Sequence, residues 1–163
     1  MSKIFCFIFA RGGSERIPNK NLKKIGKFTL LQRSINCAKK IKRVNRIFVS
    51  SDSKRILNHA KKNYAEIIKR PNFLCSKNSN EFQSWKHAIK YVENNNLSFD
   101  YFLSLPTTSP MRKVSDIDKM INKFKKSNFD LILCITKTNR FPNYNMVLKL
   151  NNKVQPIIKN NKL

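Results

Sequence analysis

A chain of 163 residues with 40% hydrophobic content can bury one domain's core, which excludes an intrinsically disordered polymer. No apolar run approaches the ~20 residues of a membrane span, so no membrane partner is expected. The formal net charge of +25 would draw the chain to polyanions whatever its fold. Its lysines, however, are scattered in pairs such as Lys39-Lys40, Lys61-Lys62 and Lys125-Lys126, with no stripe interleaved with aromatics. Abundant Asn, Ile and Phe beside them point to the drift of an AT-rich gene, with a purposeful basic patch as the alternative. No specific nucleic-acid partner is expected.

The apolar start is too short for a secretory leader, lacks a small-residue cleavage site and is interrupted by Arg11. A buried first strand, Ile4-Phe5-Cys6-Phe7-Ile8-Phe9, is the better reading. Cys6, Cys37, Cys75 and Cys134 are far apart and follow no metal-ligand spacing. They read as free, mostly buried thiols of a reducing cytoplasm, and no protein metal site is assigned.

After the first strand comes Ala10-Arg11-Gly12-Gly13-Ser14, continuing to Ile17-Pro18-Asn19-Lys20-Asn21. Two adjacent glycines allow a sharp turn that presents N–H groups to an anion. Arg11 and Lys20 add positive charge, and Ser14 and Asn21 add hydrogen-bonding side chains. Neither G-x-x-x-x-G-K-[ST] nor G-x-G-x-x-G is present.

Thr29 and Gln32 form a capping box for a helix with Leu31, Ile35 and Ala38 inward. Arg46 to Ser50 is a second strand. Ser51-Asp52-Ser53 then caps a helix with Ile56, Leu57 and Ala60 on its inner face. A short strand at Ala65 to Ile68 precedes Arg70-Pro71-Asn72-Phe73-Leu74. The next helix places Phe82, Trp85, Ile89 and Val92 on one face. His59 and His87 lie on helices without carboxylates at ligand spacing and read as ordinary helix residues.

Asn94-Asn95-Asn96 ends that helix, and Phe99 to Leu105 is a central strand. It runs into Pro106-Thr107-Thr108-Ser109-Pro110-Met111-Arg112, a stiff turn at a strand's carboxyl end. Ser115 and Asp118 make a further cap, with Ile117, Met120, Ile121 and Phe124 inward. Asp130 to Thr136 reads as a fifth strand, and residues 145–158 as a β-hairpin turning at Asn151-Asn152-Lys153. The alternation predicts one α/β domain over residues 1–163, a three-layer αβα with a mostly parallel sheet. Ligands of such sheets bind beyond the carboxyl ends of the strands.

The first loop resembles the signature loop of the cytidylyltransferases that activate sialic acids and related nine-carbon sugar acids. Arg70-Pro71 with Leu74 is similar to that family's R-P-x-x-L, and Thr108-Ser109-Pro110-x-Arg112 to its T-S-P-x-R turn. Ser50-Ser51-Asp52 resembles its S-T-D, although Asp52 reads first as a helix cap. Asn139-Arg140-Phe141-Pro142 resembles a loop that approaches the sugar acid. Lys77 stands where the family commonly has an aspartate, leaving Ser79 as the hydroxyl near the next helix.

The resemblance implies a nucleotide-diphospho-sugar-transferase-like fold and transfer of CMP from CTP to a sugar acid of the neuraminate, legionaminate or pseudaminate type. By resemblance, Ala10, Arg11, Gly12, Gly13, Ser14, Lys20 and Asn21 hold the triphosphate, and Arg11 and Lys20 are catalytic. Arg70 and Ser79 face the cytidine, while Thr108, Ser109 and Arg112 shape the sugar-acid cleft. The family implies Mg²⁺ and allows a homodimer. Its members continue into a dimerisation segment and an aspartate pair for the metal, which this sequence, matching from residue 3 to about 158, does not display. A catalytically impaired fragment or degenerate copy is the alternative expectation.

Overall fold

The computed structural model describes residues 2–14, 16–76, 79–135, 147–150 and 153–156. Within the span read as one domain, the chain forms two compact units, Met1–Lys126 and Ser127–Leu163.

The first unit is built on a four-stranded parallel sheet. Strand β1 (Ile4–Phe9) pairs with β4 (Val44–Ser51) on one side and β6 (Tyr101–Ser104) on the other. Strand β5 (Glu66–Lys69) extends the sheet beyond β4, giving the order β5-β4-β1-β6. Two short strands, β2 (Lys24–Ile25) and β3 (Phe28–Thr29), make a separate hairpin, with Gly26 at φ +62° in its turn. Such a left-handed turn position suits glycine.

The continuous apolar sequence of β1 follows from helices on both sheet faces, because a strand buried twice has no solvent side to mark with polar residues. Ile4, Cys6 and Ile8 belong to one core, with Leu31, Ile35 and Ala38 of α1 (Leu30–Lys40). Ile56 and Ala60 of α2 (Lys54–Lys62), and Ile117 and Ile121 of α4 (Val114–Lys125), complete that face. Phe5 and Phe7 belong to the other core, with Phe48 and with Ala88 and Val92 of α3 (Glu81–Asn94). Phe7 is fully buried and stacks on Phe102 with ring centroids 4.4 Å apart. The result is the expected layering of helices, sheet and helix.

The Thr29 cap forms as read: its side-chain oxygen accepts the Gln32 N–H at 3.0 Å. That hydroxyl also lies 2.9 Å from His59 Nε2. Burial, and after it the nearby Lys62 charge, holds the His59 pKa below its ordinary value.

Three expectations need correction. The buried stripe of α3 is Ser84, Ala88 and Val92, while Phe82 is 52% exposed. Trp85, half-buried, does pack inward as read, with ring centroids 5.5 Å from Phe102 and 6.5 Å from Phe9, whereas Phe82, in the first turn, rests against Trp85 at 6.3 Å. Helix α4 begins at Val114 with Lys113 at the cap position. Ser115 and Asp118 therefore lie inside the helix and do not cap it. Residues 130–135 form no strand, and Leu131, Leu133 and Ile135 are exposed. Residue preference supplies only a face; a strand also needs a neighbour for its N–H and C=O groups, and none of the described residues pairs with it.

In the second unit, β7 (Val147–Leu150) and β8 (Lys153–Pro156) pair antiparallel, Val147 opposite Pro156 and Leu150 opposite Lys153, so Lys153, read as a turn residue, belongs to the strand. Thr136, the 139–142 loop, the hairpin turn at 151–152 and the remainder of 145–158 lie outside the described residues, as does Lys77. Of the four cysteines, Cys6 is buried, Cys37 and Cys75 half-buried, and Cys134 exposed. Cys134 thus departs from the buried reading, since the strand expected to contain it is not formed. Among the described residues, no helix is long and apolar enough to cross a membrane.

Candidate nucleotide cleft

From β1 the chain moves outward to β4 and β5, then returns to the other side of β1 with β6. The loops after β1 and β6 therefore leave the carboxyl ends of two adjacent strands at the point where the strand order reverses, which is where open α/β sheets bind ligands. A cleft of about 270 Å³ lies there. Arg11, Ser14, Lys20 and Asn21 line it from the first loop, Arg70 from the end of β5, and Pro106, Thr107 and Thr108 from the loop after β6. Ser79, Glu81 and Ser84 line it from the start of α3, with Phe9 and Leu74 as apolar wall.

The first loop is held by bonds to distant parts of the chain. The Gly12 N–H donates to Asp52 Oδ1 at 2.8 Å. A Cβ on Gly12 would stand 3.0 Å from Ser53 Cβ, so glycine permits this close approach. Both findings revise the sequence reading. The Gly12 N–H is taken by a carboxylate and does not face the cleft as a free donor. Asp52, read first as a helix cap, is a loop anchor, and Ser53 occupies the cap position without a side-chain cap bond. Substituting Asp52→Ala strips this N–H of its acceptor, so a stability loss of about 1–2 kcal/mol is expected in denaturant unfolding. Asp52→Asn, which keeps an oxygen acceptor, recovers most of it.

Asn21 is 4% exposed. Its Nδ2 donates to the Arg11 carbonyl at 2.9 Å and its Oδ1 accepts from the Thr107 hydroxyl at 2.7 Å. It therefore clasps the first loop to the loop after β6. Lys20, its neighbour, sits in a 3-10 turn over Lys20–Leu22, preceded by Asn19 in a left-handed conformation at φ 53°. This turn fixes the backbone from which the Lys20 ammonium projects.

Arg70 is 6% exposed. Its Nε donates to Ser50 Oγ at 3.1 Å and its Nη2 to the Ser50 carbonyl at 2.7 Å. Its guanidinium also lies 5.5 Å from the Phe9 ring centroid, a favourable cation–π arrangement. Burial pushes the Arg70 pKa down, while Cys75, Asp52 and Glu81 oppose that shift. The Cys75 thiol is pushed up, first by burial and also by nearby Asp52, while the Arg70 guanidinium opposes the shift. From the first loop, Arg11 Nη1 donates to the Ser76 carbonyl at 3.2 Å. The Ser79 hydroxyl donates to the carbonyls of Leu74 and Ser76, at 3.0 and 2.8 Å.

Of the sequence-predicted residues, Arg11, Ser14, Lys20, Asn21, Arg70, Ser79 and Thr108 line the cleft together. Ala10 is buried, its N–H donating to the Ser50 carbonyl at 3.0 Å, and Gly13 is exposed on the loop. Ser109 is exposed and, like Arg112, is not on the cleft wall; Arg112 donates to the Pro106 carbonyl of its own loop. Sequence reasoning missed the Thr107 clasp, the support of Arg70 by Ser50 and Phe9, and Glu81. The first hydroxyl of Pro106-Thr107-Thr108 was the available signal for Thr107.

Magnesium, implied by the family resemblance, takes oxygen ligands. Among the described residues, no three His, Cys, Asp or Glu side chains gather closely enough to hold a metal ion. The described cleft wall has one carboxylate, Glu81; Asp52 is engaged with Gly12, and Asp100, at the opposite end of β6, accepts the Lys3 N–H. These residues do not fit a protein-held metal.

The switch-point crevice, with cationic and hydroxyl side chains converging on it, defines an open-sheet α/β protein of the ligand-binding kind. The chain belongs to the cytidylyltransferase family, whose profile matches residues 5–162. It is similar to "post-translational flagellin modification protein B" of Campylobacter coli and to CMP-N,N'-diacetyllegionaminic acid synthase of Campylobacter jejuni. Each is 31% identical over 156 residues, covering 94% of this chain and 66% of the relative. The chain thus spans just under two thirds of these relatives' length. N-acylneuraminate cytidylyltransferase of Escherichia coli is 25% identical over 140 residues, 85% of this chain and 32% of that protein. Among solved structures, CMP:2-keto-3-deoxy-manno-octonic acid synthetase complexed with CTP shares the fold. Its TM-score is 0.63 at 21% identity, covering 77% of this chain and 48% of that one.

Proposed function

We propose that this chain forms the nucleotide-binding part of a cytidylyltransferase that transfers CMP from CTP to a nine-carbon sugar acid of the neuraminate, legionaminate or pseudaminate type, releasing pyrophosphate. The observation that carries the reading is the convergence of Arg11, Ser14, Lys20 and Arg70 on one switch-point cleft. The names of the similar proteins supply the substrate class. A reaction that consumes CTP belongs to the cytoplasm.

The chemistry makes specific demands. A sugar hydroxyl attacks the α-phosphorus, and the bond to the bridging oxygen of the pyrophosphate breaks. Negative charge grows on the departing pyrophosphate, and preorganised cations stabilise it. Lys20, on its fixed turn, and Arg11, steadied by the Ser76 carbonyl, are the residues assigned to that work. Thr108 borders the remaining space, where the sugar acid would enter.

Equilibrium binding of Mg²⁺·CTP to residues 1–163 at near-physiological salt tests the proposal, with UTP and ATP alongside. Selective CTP binding that Arg11→Ala weakens about tenfold or more is the expected result. Equal binding of all three nucleotides, removed by added salt, would show only the net charge at work and sink the reading.

A further inference from the structure

Glu81 is the one carboxylate among the described residues lining the cleft. It occupies the first position of α3, where the Asn80 side chain accepts the Phe82 N–H at 2.9 Å and fixes the helix start. A carboxylate beside a triphosphate would weaken binding, so Glu81 suits an uncharged, donor-bearing part of the ligand, the base rather than the phosphates. Arg70, Ser79, Ser84 and the apolar Leu74 line the same cleft.

Cytosine and uracil differ in hydrogen bonding where an exocyclic amine replaces a carbonyl oxygen. Arg70 offers only donors and cannot accept from an amine. The Ser79 and Ser84 hydroxyls reach the Leu74 carbonyl at 3.0 and 3.5 Å, and rotating hydroxyls discriminate weakly between bases. A carboxylate accepts only: it takes the cytosine amine and repels a uracil oxygen. Arg70 interacts favourably with Glu81, which offsets the acidic group's cost inside a cleft for an anion.

We propose that Glu81 is a specificity-determining residue, its carboxylate accepting a hydrogen bond from the exocyclic amine of cytosine and excluding uracil. This rests on the nucleotide reading above. A purely structural Glu81 would instead complement the positive end of α3 and affect every nucleotide alike.

The test compares CTP and UTP affinities of the 163-residue chain with those of Glu81→Gln and Glu81→Asp, with thermal unfolding of each. The wild type is expected to prefer CTP by about tenfold or more. In Glu81→Gln that ratio falls toward one, largely through tighter UTP binding, because the amide can turn its NH₂ toward the uracil oxygen. Glu81→Asp keeps the charge at the helix start, so its unfolding midpoint stays near wild type, while its shorter reach lowers the ratio. A selective wild type whose ratio survives both substitutions overturns this inference and leaves the cytidylyltransferase reading standing. A wild type with no preference overturns both.

Discussion

Lys20→Ala is expected to weaken CTP binding ten- to hundredfold while leaving the unfolding midpoint within about 2 °C of wild type. The structural basis is a separation of roles within one turn. The backbone of Lys20 is fixed by the 3-10 geometry and by the Asn21 clasp. Its ammonium shows no hydrogen bond or ion pair among the described residues. Removing the side chain therefore costs the fold little. A charge-assisted contact to phosphate is worth roughly 1.5–3 kcal/mol, which sets the expected affinity loss. In a turnover assay the loss in kcat should reach ~100-fold, because charge on the pyrophosphate is greatest in the transition state. Titration calorimetry with CTP and CDP refines the assignment. If Lys20 reaches the terminal phosphates, its loss narrows the gap between the two nucleotides; an unchanged gap places it elsewhere.

Arg70→Met presents the opposite pattern, a joint loss of stability and binding. Its guanidinium is fixed by Ser50 and faces the Phe9 ring, and 6% exposure leaves little water to replace those partners. Methionine fills part of the space but leaves the Ser50 hydroxyl without its donor, and removes the positive charge beside Asp52 and Glu81. A loss of about 2–3 kcal/mol is expected, or roughly 5–10 °C in midpoint, with CTP affinity down at least tenfold. Arg70→Lys distinguishes charge from shape. Lysine keeps the cation but not the planar fork, so it should recover less than half of the stability. Full recovery would mean that Arg70 acts as a point charge only.

The sheet was legible because β1 carries its burial openly: six apolar residues in a row, aliphatic or Cys on one face and Phe on the other. The loops at Arg11–Asn21 and Pro106–Arg112 were legible because they end such strands. What stayed hidden were relations between distant segments. Nothing local to Gly12 shows that its N–H meets Asp52, forty residues away. Helical periodicity suggested Phe82 as an inward residue of α3, whereas the buried face runs through Ser84, Ala88 and Val92, with Trp85 beside it against Phe102. At residues 130–135, pattern marks a strand only where pairing is also satisfied. Glu81 was hidden for the same reason: an acidic residue at a helix start has an ordinary explanation, and only its place on the cleft wall supplies another.

The bonds that shape the cleft have an implication for biosynthesis. Gly12 meets Asp52 across 40 residues, Arg11 meets Ser76 across 65, and Asn21 meets Thr107 across 86. Contacts so distant along the chain form only after the intervening segments have been laid down and docked. On a ribosome, the first loop would emerge early yet stay without its full set of partners until the Thr107 segment had cleared the exit tunnel. Nucleotide capture by this cleft would then mark completion of the sheet, and ligand-dependent protection of arrested nascent chains would begin only once β6 was free to dock.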